Sequence, residues 1–198
     1  MHPLPLSGGP MYAVIFWATF ALWMGLETFA SRTKLSADKS KARDRGSLAL
    51  ILAMFWLALV LGFSLCYLLP QAAIRWNRVA LFFAGIALML AGIAFRWYAI
   101  SVLGRFFTFD VAVHAGHTLV DTGPYRYIRH PSYTGGLITE IGMGLALGNW
   151  AALLAILGCM GIGYAYRISV EEAALVGTLG EAYKEYQRRT RRLVPFVF

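Results

Sequence analysis

The chain has 198 residues, of which 59% are hydrophobic and only 14% are charged. A soluble domain is usually about half apolar and a quarter charged, so this composition argues against a soluble domain and favours a membrane protein. The net charge of +8 comes from basic residues between apolar runs, a pattern that does not favour nucleic-acid binding. Cys66 and Cys159 lie inside apolar runs and predict neither a disulfide nor a metal site.

Taken in chain order, the apolar runs are long enough to suggest membrane spans, since a helix needs about 20 mainly apolar residues to cross a bilayer. The first run lacks the basic start and cleavage site of a signal peptide, and is interpreted as a retained span. Gly148 and Asn149 separate the last two runs and are typical of a tight helical hairpin. The sequence predicts an all-α polytopic membrane protein in one domain, 1–198, with about five transmembrane helices: 11–30, 47–69, 79–98, 133–147 and 150–166.

Lysines and arginines are concentrated in three segments: 32–45, 96–130 and the tail from 167. With five spans these segments share one side, and the opposite side keeps only Arg75 and Arg78. The positive-inside rule then predicts an outside N-terminus and a cytoplasmic C-terminus. Because they face one compartment, the long region 104–133 and the tail 171–198 are expected to meet and form a pocket on the cytoplasmic side.

Two short motifs carry charged or polar groups next to the predicted spans. Pro131 disfavours helix at His130 and suits the first turn of the helix that follows, whose N-terminus would favour a carboxylate. Arg167 is predicted to end the last span, and Glu171 and Glu172 to open a helical tail. Both motifs also have a purely structural interpretation. The tyrosines and arginines would anchor the protein at the membrane interface, and the acids would stabilise the first turn of a helix. As functional groups, the arginine would bind a carboxylate substrate and the acids an ammonium or ribose hydroxyls.

The order and spacing of the motifs in the C-terminal half carry a resemblance. His117-Thr-Leu-Val precedes Gly-Pro-Tyr125, and Arg129-His-Pro-Ser-Tyr133 follows with a glycine at 135. Further on come Arg167, the Glu-Glu pair, Leu-Gly-Glu-Ala-Tyr-Lys-Glu-Tyr and a terminal Val-Pro-Phe. This half resembles the isoprenylcysteine carboxyl methyltransferase family, with the phospholipid methyltransferases as more distant relatives. The N-terminal spans match only as hydrophobic helices.

The resemblance implies an enzyme that uses S-adenosylmethionine, released as S-adenosylhomocysteine, to methylate the carboxylate of an isoprenylcysteine-like lipid. It implies a cofactor-binding region in 104–133 and 167–198. Arg167 matches the residue at the acceptor carboxylate, and Arg129 is a second candidate for that catalytic role. The implied cofactor-binding residues are His117, Thr118, Leu119, Val120, Tyr125, His130, Pro131, Ser132, Tyr133 and Glu172.

The chemistry suits a membrane protein. A carboxylate is ionised at neutral pH and needs no general base, so the protein must align the reacting atoms and exclude water. The lipid would enter from the bilayer and the cofactor from the cytoplasm. The alternatives are N-methylation of a phospholipid amine, reduction of a sterol-like double bond with a nicotinamide cofactor, and a non-catalytic membrane scaffold.

The ionisable residues at membrane depth are Glu27 and Glu140. Glu27, close to a span end, is interpreted as reaching the interface. Glu140 lies deeper and outside the family motif, and is interpreted as a structural residue that pairs with an arginine or narrows the lipid entrance. His114 and His117 are three residues apart but have no clear third ligand, so no metal partner is predicted.

Overall fold

In the computed structural model, the described residues are 3–33, 44, 46–107 and 119–194, and all of the regular structure in them is helical. Three short 3₁₀ turns connect the helices, at Pro70–Ala72, Gly104–Phe106 and Gly123–Arg126. The helices are α1 (Leu4–Ser7), α2 (Pro10–Thr33), α3 (Ser47–Leu68), α4 (Arg78–Leu103), α5 (Pro131–Leu147), α6 (Trp150–Leu179) and α7 (Glu181–Arg189). The prediction of an all-α polytopic membrane fold is confirmed.

The five predicted spans correspond to helices α2 to α6, one helix for each span. Four of these helices, α2, α3, α4 and α6, are long and apolar enough to cross a membrane. Helix α5 has 17 residues, fewer than the ~20 that an untilted span needs, so the fifth crossing stays a prediction.

Helix α6 corrects one boundary of the sequence prediction. The change from apolar to charged residues near Arg167 suggested that the span ends there, but the helix continues without a break to Leu179. It ends only at Gly180, which has a positive φ of 57°. Glu171 and Glu172 therefore lie inside a long helix and not in the first turn of a new one. Thirty residues make a helix about 45 Å long, which exceeds the hydrocarbon thickness of about 30 Å.

Helices α4 and α5 pack with their backbones in contact, because glycines face each other across the interface. A Cβ atom on Gly92 would lie 2.5 Å from the backbone nitrogen of Thr139, and one on Gly85 would lie 2.5 Å from that of Ala146. Gly135 and Gly142 of α5 are equally close to the backbone of α4. Small residues replace the hydrophobic effect as the main determinant of helix contact within a bilayer.

The hairpin between α5 and α6 is confirmed. Gly148 ends α5 in the left-handed conformation (φ 65°), and the Asn149 side chain caps α6 by accepting a hydrogen bond from the backbone N–H of Ala152. Asn149 also donates to the carbonyl of Leu69 at 3.0 Å, which ties the hairpin to the end of α3. This end of the bundle is opposite to the end that carries the motif residues.

Candidate functional site

The segment that precedes α5 and the segment that follows α7 are joined by backbone hydrogen bonds. The Arg129 N–H donates to the Arg191 carbonyl at 2.7 Å, and the His130 N–H donates to the Arg192 carbonyl at 3.0 Å. In return the Arg191 N–H donates to the Tyr127 carbonyl at 3.1 Å. The two regions that the sequence assigned to one compartment are therefore in direct contact, and we call this contact the loop–tail junction (residues 127–130 and 190–193).

Glu172 lies at the centre of the loop–tail junction and is only 5% exposed. One carboxylate oxygen accepts from Arg129 Nε at 2.7 Å and lies 3.2 Å from His130 Nε2, while the other accepts from Arg192 Nη2 at 3.2 Å. Arg129 also donates to the Thr190 carbonyl at 2.6 Å. A buried carboxylate is tolerated when its oxygens are paired in this way, so Glu172 holds helix α6, the loop and the tail together.

Tyrosines pack beneath this junction. Tyr186 of α7 donates to the Tyr125 carbonyl at 2.6 Å, and its ring lies beside that of Tyr183. Burial raises the pKa of Tyr125, Tyr183 and Tyr186 above the ordinary value, since a phenolate is poorly solvated there. These phenols therefore remain neutral at physiological pH, and Tyr186 acts as a hydrogen-bond donor.

Arg167 forms a second group of contacts on the neighbouring turn of α6. Its Nε donates to the Tyr133 hydroxyl at 3.3 Å, and its Nη1 contacts the Asp44 carboxylate and the Ser47 hydroxyl. The Tyr133 hydroxyl donates in turn to Glu171 at 2.8 Å. Arg167 is 4% exposed, so its guanidinium is fixed by three helices or loops and not by solvent.

A cavity of about 220 Å³ extends from Arg167 into the bundle between α2, α3, α5 and α6. The charged residues and tyrosines of its lining lie on α2, α4, α5 and α6 and are Glu27, Arg96, Tyr133, Glu140, Tyr164 and Arg167. Most of the remaining wall is apolar and includes Trp23, Met24, Leu48, Ile51, Leu52, Phe55, Trp56 and Met160. The cavity therefore suits a molecule with a long apolar part and one polar end.

The cavity is partly open, and its lining includes exposed residues on both sides of the gap between α2 and α3. In the half of the bundle away from Arg167, aromatic rings close the gap: Trp17 stacks on Phe63 at 5.5 Å, and Trp23 meets Phe55 edge-on at 5.5 Å. Nearer to Arg167, the cavity-lining residues Thr28 and Leu52 are exposed. The opening faces the side of the bundle, where lipid surrounds a membrane protein.

The two acids at membrane depth, Glu27 and Glu140, both contact residues of another helix. Glu27 does not simply reach the interface, because its carboxylate forms a two-pronged ion pair with Arg96, at 2.5 Å to Nε and 2.9 Å to Nη2. Glu140 forms no ion pair with an arginine among the residues that the structure describes; one of its oxygens accepts from the Tyr164 hydroxyl at 3.0 Å. Both pairings join two different helices, so periodicity within one helix could not reveal them.

The structure brings some of the sequence-predicted site residues together and separates others. The structure brings Arg129, His130 and Glu172 together, and places Tyr133 beside Arg167. Three others contribute mainly through their backbone or position: Pro131 begins α5, while the carbonyls of Ser132 and Tyr125 accept from Arg96 and Tyr186. Leu119 and Val120 are half-buried before the Gly123–Arg126 turn. His114, His117 and Thr118 lie outside the described residues.

Sequence reasoning missed several members of the site. Glu171 was read only as half of an acidic pair, and Arg192 only as part of a basic tail. Asp44 lies in the basic loop before α3, where its carboxylate accepts from the Leu48 N–H at 3.0 Å. An acid ahead of a helix start is a capping signal that could have singled out Asp44, although nothing in the spacing points to Arg167.

Fold and site together define a polytopic helical membrane protein with a lipid-facing cavity that ends at a buried cluster of charged residues. Residues 85–177 match the model of the "Isoprenylcysteine carboxyl methyltransferase (ICMT) family". This match covers just under half of the chain and agrees with the resemblance that the C-terminal motifs carry. The resemblance seen in the sequence motifs is thereby confirmed.

Similar proteins support this assignment. A protein-S-isoprenylcysteine O-methyltransferase of Schizosaccharomyces pombe is 28% identical over 159 residues, which covers 72% of this chain and 67% of that protein. Protein-S-isoprenylcysteine O-methyltransferase B of Arabidopsis thaliana is 36% identical over 115 residues, which covers 57% of this chain and 58% of that protein. The chain thus spans about three fifths to two thirds of the length of these relatives.

A solved structure shares the fold over almost the whole chain. This is the eukaryotic intramembrane Ras methyltransferase ICMT (isoprenylcysteine carboxyl methyltransferase), with a TM-score of 0.62 and 25% sequence identity. The match covers 98% of this chain and 70% of that protein. The N-terminal helices, which carried no recognisable motif, therefore belong to the same architecture as the C-terminal half.

Proposed function

We propose that this chain is a carboxyl O-methyltransferase that converts the α-carboxylate of an isoprenylcysteine-like lipid into a methyl ester, with S-adenosylmethionine as the methyl donor. The observation that carries the proposal is the cavity that joins an apolar lateral opening to Arg167. An arginine at the inner end of an apolar cavity suits a molecule that is hydrocarbon at one end and a carboxylate at the other.

The lateral opening between α2 and α3 supports entry of the acceptor from the bilayer. A prenyl chain that moves from lipid into an apolar cavity exchanges one hydrocarbon environment for another, so it does not have to cross water. Its carboxylate then meets Arg167, which Tyr133, Asp44 and Ser47 hold in place. Arg167 acts here by orienting the carboxylate for attack.

The loop–tail junction supports binding of the methyl donor. S-adenosylmethionine carries a carboxylate together with ammonium and sulfonium cations, so its site needs groups of both signs. The side chains of Glu171 and Arg192 are 30% and 43% exposed and supply an anion and a cation at the surface of the junction. The residues present therefore fit the cofactor. Glu172 holds His130, Arg129 and Arg192 in position from below, which favours a positioning role for Arg129.

The proposed reaction needs little acid–base help from the protein. When bound, S-adenosylmethionine supplies a methyl group on a positively charged sulfur, and the sulfur leaves as a neutral thioether. The acceptor carboxylate is already ionised, so no residue has to remove a proton. The buried position of Arg167 excludes water from the carboxylate, and a dry site does not oppose a transfer in which opposite charges are neutralised.

The position of the charged end supports a cytoplasmic active site within one membrane domain, 1–198. The loop before α3, the segment before α5 and the tail share one end of the bundle, as the contacts of Asp44 with Arg167 and of Arg129 with Glu172 require. These segments also hold most of the basic residues. The positive-inside rule then favours a cytoplasmic site and an outside N-terminus.

The test is to incubate the purified chain with methyl-labelled S-adenosylmethionine and N-acetyl-S-farnesylcysteine. We expect label in the lipid that base releases as methanol, which identifies a methyl ester. The matched control is the same lipid with its carboxylate already esterified, which should accept no label. Base-stable label on a phospholipid amine would replace the proposal with N-methylation, and the absence of transfer to any lipid would contradict methyltransferase activity.

A further inference from the structure

The carboxylate of Asp44, which precedes helix α3, is in direct contact with Arg167. Its Oδ1 contacts Nη1 of Arg167 and accepts from the Ser47 hydroxyl at 2.8 Å. Its Oδ2 accepts from the backbone N–H of Leu48, in the first turn of α3, at 3.0 Å. The two oxygens therefore have separate partners: one contacts the arginine, and the other caps the start of a helix.

The contact between Asp44 and Arg167 lies at the end of the cavity where the acceptor carboxylate is placed. Arg167 and Leu48 both belong to the cavity lining, and Asp44 contacts both of them. The side chain of Asp44 is 19% exposed, whereas that of Arg167 is 4% exposed. The acid of this ion pair therefore lies nearer to solvent than the arginine that it neutralises.

The other arginine of the cavity, Arg96, is held in a different way. Two of its nitrogens bind Glu27, and the third donates to the Ser132 carbonyl at 3.0 Å. Glu27 belongs to helix α2, so its backbone is fixed by the helix. Asp44 precedes Ser47, the first residue of α3. Of the two acids, Asp44 is the one that can release its arginine without the movement of a helix.

An acceptor carboxylate at Arg167 would share one cation with acids that are already present. Besides Asp44, the Tyr133 hydroxyl links Arg167 to Glu171, through hydrogen bonds of 3.3 Å and 2.8 Å. A further carboxylate beside the same guanidinium would be repelled, because like charges disfavour each other strongly in a buried site. The acceptor therefore binds Arg167 favourably only when Asp44 gives up its contact.

The second oxygen of Asp44 makes such an exchange possible. The hydrogen bond from Leu48 to Oδ2 does not involve the arginine, so the start of α3 stays capped when Oδ1 leaves Arg167. Tyr133 and Ser47 contact Arg167 independently of Asp44 and continue to hold the guanidinium. The exchange thus changes the anion beside Arg167 and leaves the surrounding helices in place.

We propose that Asp44 is a specificity-determining residue: its carboxylate neutralises Arg167 between turnovers, yields to the acceptor carboxylate, and returns when that carboxylate has become a neutral ester. The inference rests on the proposed function and deepens it. A buried arginine that loses its only anion is strongly disfavoured. The return of Asp44 restores the ion pair, so an ester has to compete with a charged group for Arg167 and is released.

The experiment measures dissociation constants for N-acetyl-S-farnesylcysteine and for its methyl ester, with S-adenosylhomocysteine present so that no turnover occurs. Asp44→Asn and Asp44→Ser remove the charge, and both new residues are good helix caps. Glu185→Gln is the matched control, because it adds the same unit of positive charge at an exposed position of α7, where Glu185 pairs only with Arg188 among the interactions described. Binding of S-adenosylhomocysteine checks that each variant is folded.

Both Asp44 variants should bind the acid about tenfold more tightly than the native chain, as expected when a charge-assisted competitor is removed. The ester should gain no more than about twofold, because a neutral carbonyl forms a weaker bond with arginine. Glu185→Gln should leave both constants close to the native values.

Three results would overturn the inference. One is an acid affinity in the Asp44 variants that is equal to or below that of the native chain, since Asp44 would then only hold Arg167 in place. Another is an equal gain for acid and ester, which would mean that the cavity has merely opened. The third is loss of S-adenosylhomocysteine binding in both Asp44 variants, which would make the contact a requirement of the fold.

Binding and turnover separate this inference from the proposed function. If the Asp44 variants gain affinity for the acid but the native chain transfers no methyl group to it, carboxyl methylation is wrong and the role of Asp44 in carboxylate binding stands. If the native chain methylates the acid and the Asp44 variants show no gain, carboxyl methylation stands and the inference is wrong.

Discussion

The two faces of helix α5 show how one short helix serves packing and chemistry at once. On one face, Gly135 and Gly142 bring the backbone into contact with α4 and leave no space. On the other, Tyr133, Gly136 and Glu140 border a cavity that contains polar groups. We call these the closed face and the cavity face. The comparison shows that glycine has two uses in α5. On the closed face it lets the backbones of α4 and α5 touch, and on the cavity face it leaves room for the Tyr164 hydroxyl.

The largest effect should come from Arg167, at the inner end of the cavity that the cavity face borders. Arg167→Ala removes the cation that we place at the acceptor carboxylate, and should lower kcat/KM for a farnesylcysteine acceptor by about 100-fold, as expected for loss of charge-assisted hydrogen bonds. Arg167→Lys is the matched control, because it keeps the charge but loses the planar fork, and should recover only part of the activity. Steady-state kinetics that show less than a threefold change for Arg167→Ala would remove Arg167 from the acceptor site.

A methyl group on the closed face should affect stability more than chemistry. The new Cβ of Gly92→Ala would lie 2.5 Å from the backbone nitrogen of Thr139, and backbone atoms cannot move aside as a flexible side chain can. We expect a loss of about 1–3 kcal/mol, measured by thermal unfolding in detergent. Gly161→Ala in α6 is the control, since a Cβ there meets nothing within 4 Å. Equal unfolding temperatures for the two variants would mean that the α4–α5 contact is looser than described.

The smallest effect should come from a methyl group on the cavity face. Gly136→Ala would move the Tyr164 hydroxyl, which is the far end of a side chain and can shift, so stability should fall by less than about 1 kcal/mol. Acceptor affinity should fall about two- to fivefold because one hydrogen bond to Glu140 weakens. Tyr164→Phe removes the same hydroxyl. The double variant should therefore bind the acceptor as tightly as whichever single variant has the lower affinity. Additive losses in acceptor affinity would show that Gly136 acts in another way.

Much of the fold could be predicted because the signals are local. Apolar runs located the five long helices, and Gly148 with Asn149 located the hairpin. The prediction that Glu171 and Glu172 open a new helix was wrong because a change in polarity marks the membrane boundary but does not stop a helix. No proline follows Arg167 within α6, and its last turn tolerates Gly177, so the helix continues into the polar region and ends only at Gly180.

Much less of the site could be predicted from residue patterns. The motif order carried the resemblance to the family and hence His130, Arg167 and Glu172. The pairing of Glu27 with Arg96 joins residues 69 positions apart, and that of Asp44 with Arg167 joins residues 123 apart. Such contacts depend on how helices are placed side by side, and neither hydropathy nor helical period contains that information.

The central claim is that the acceptor binds in the cavity at Arg167 and the cofactor binds at the loop–tail junction around Glu172. The most direct measurement is the dissociation constant for S-adenosylmethionine and the KM for a farnesylcysteine acceptor, both determined for Arg167→Ala and Glu172→Ala, with Glu172→Gln as the milder control. We predict that Arg167→Ala raises the acceptor KM and leaves cofactor affinity nearly intact, while Glu172→Ala weakens cofactor binding because Arg129 and His130 lose their shared partner. Equal and small changes in both constants for both variants would contradict the account.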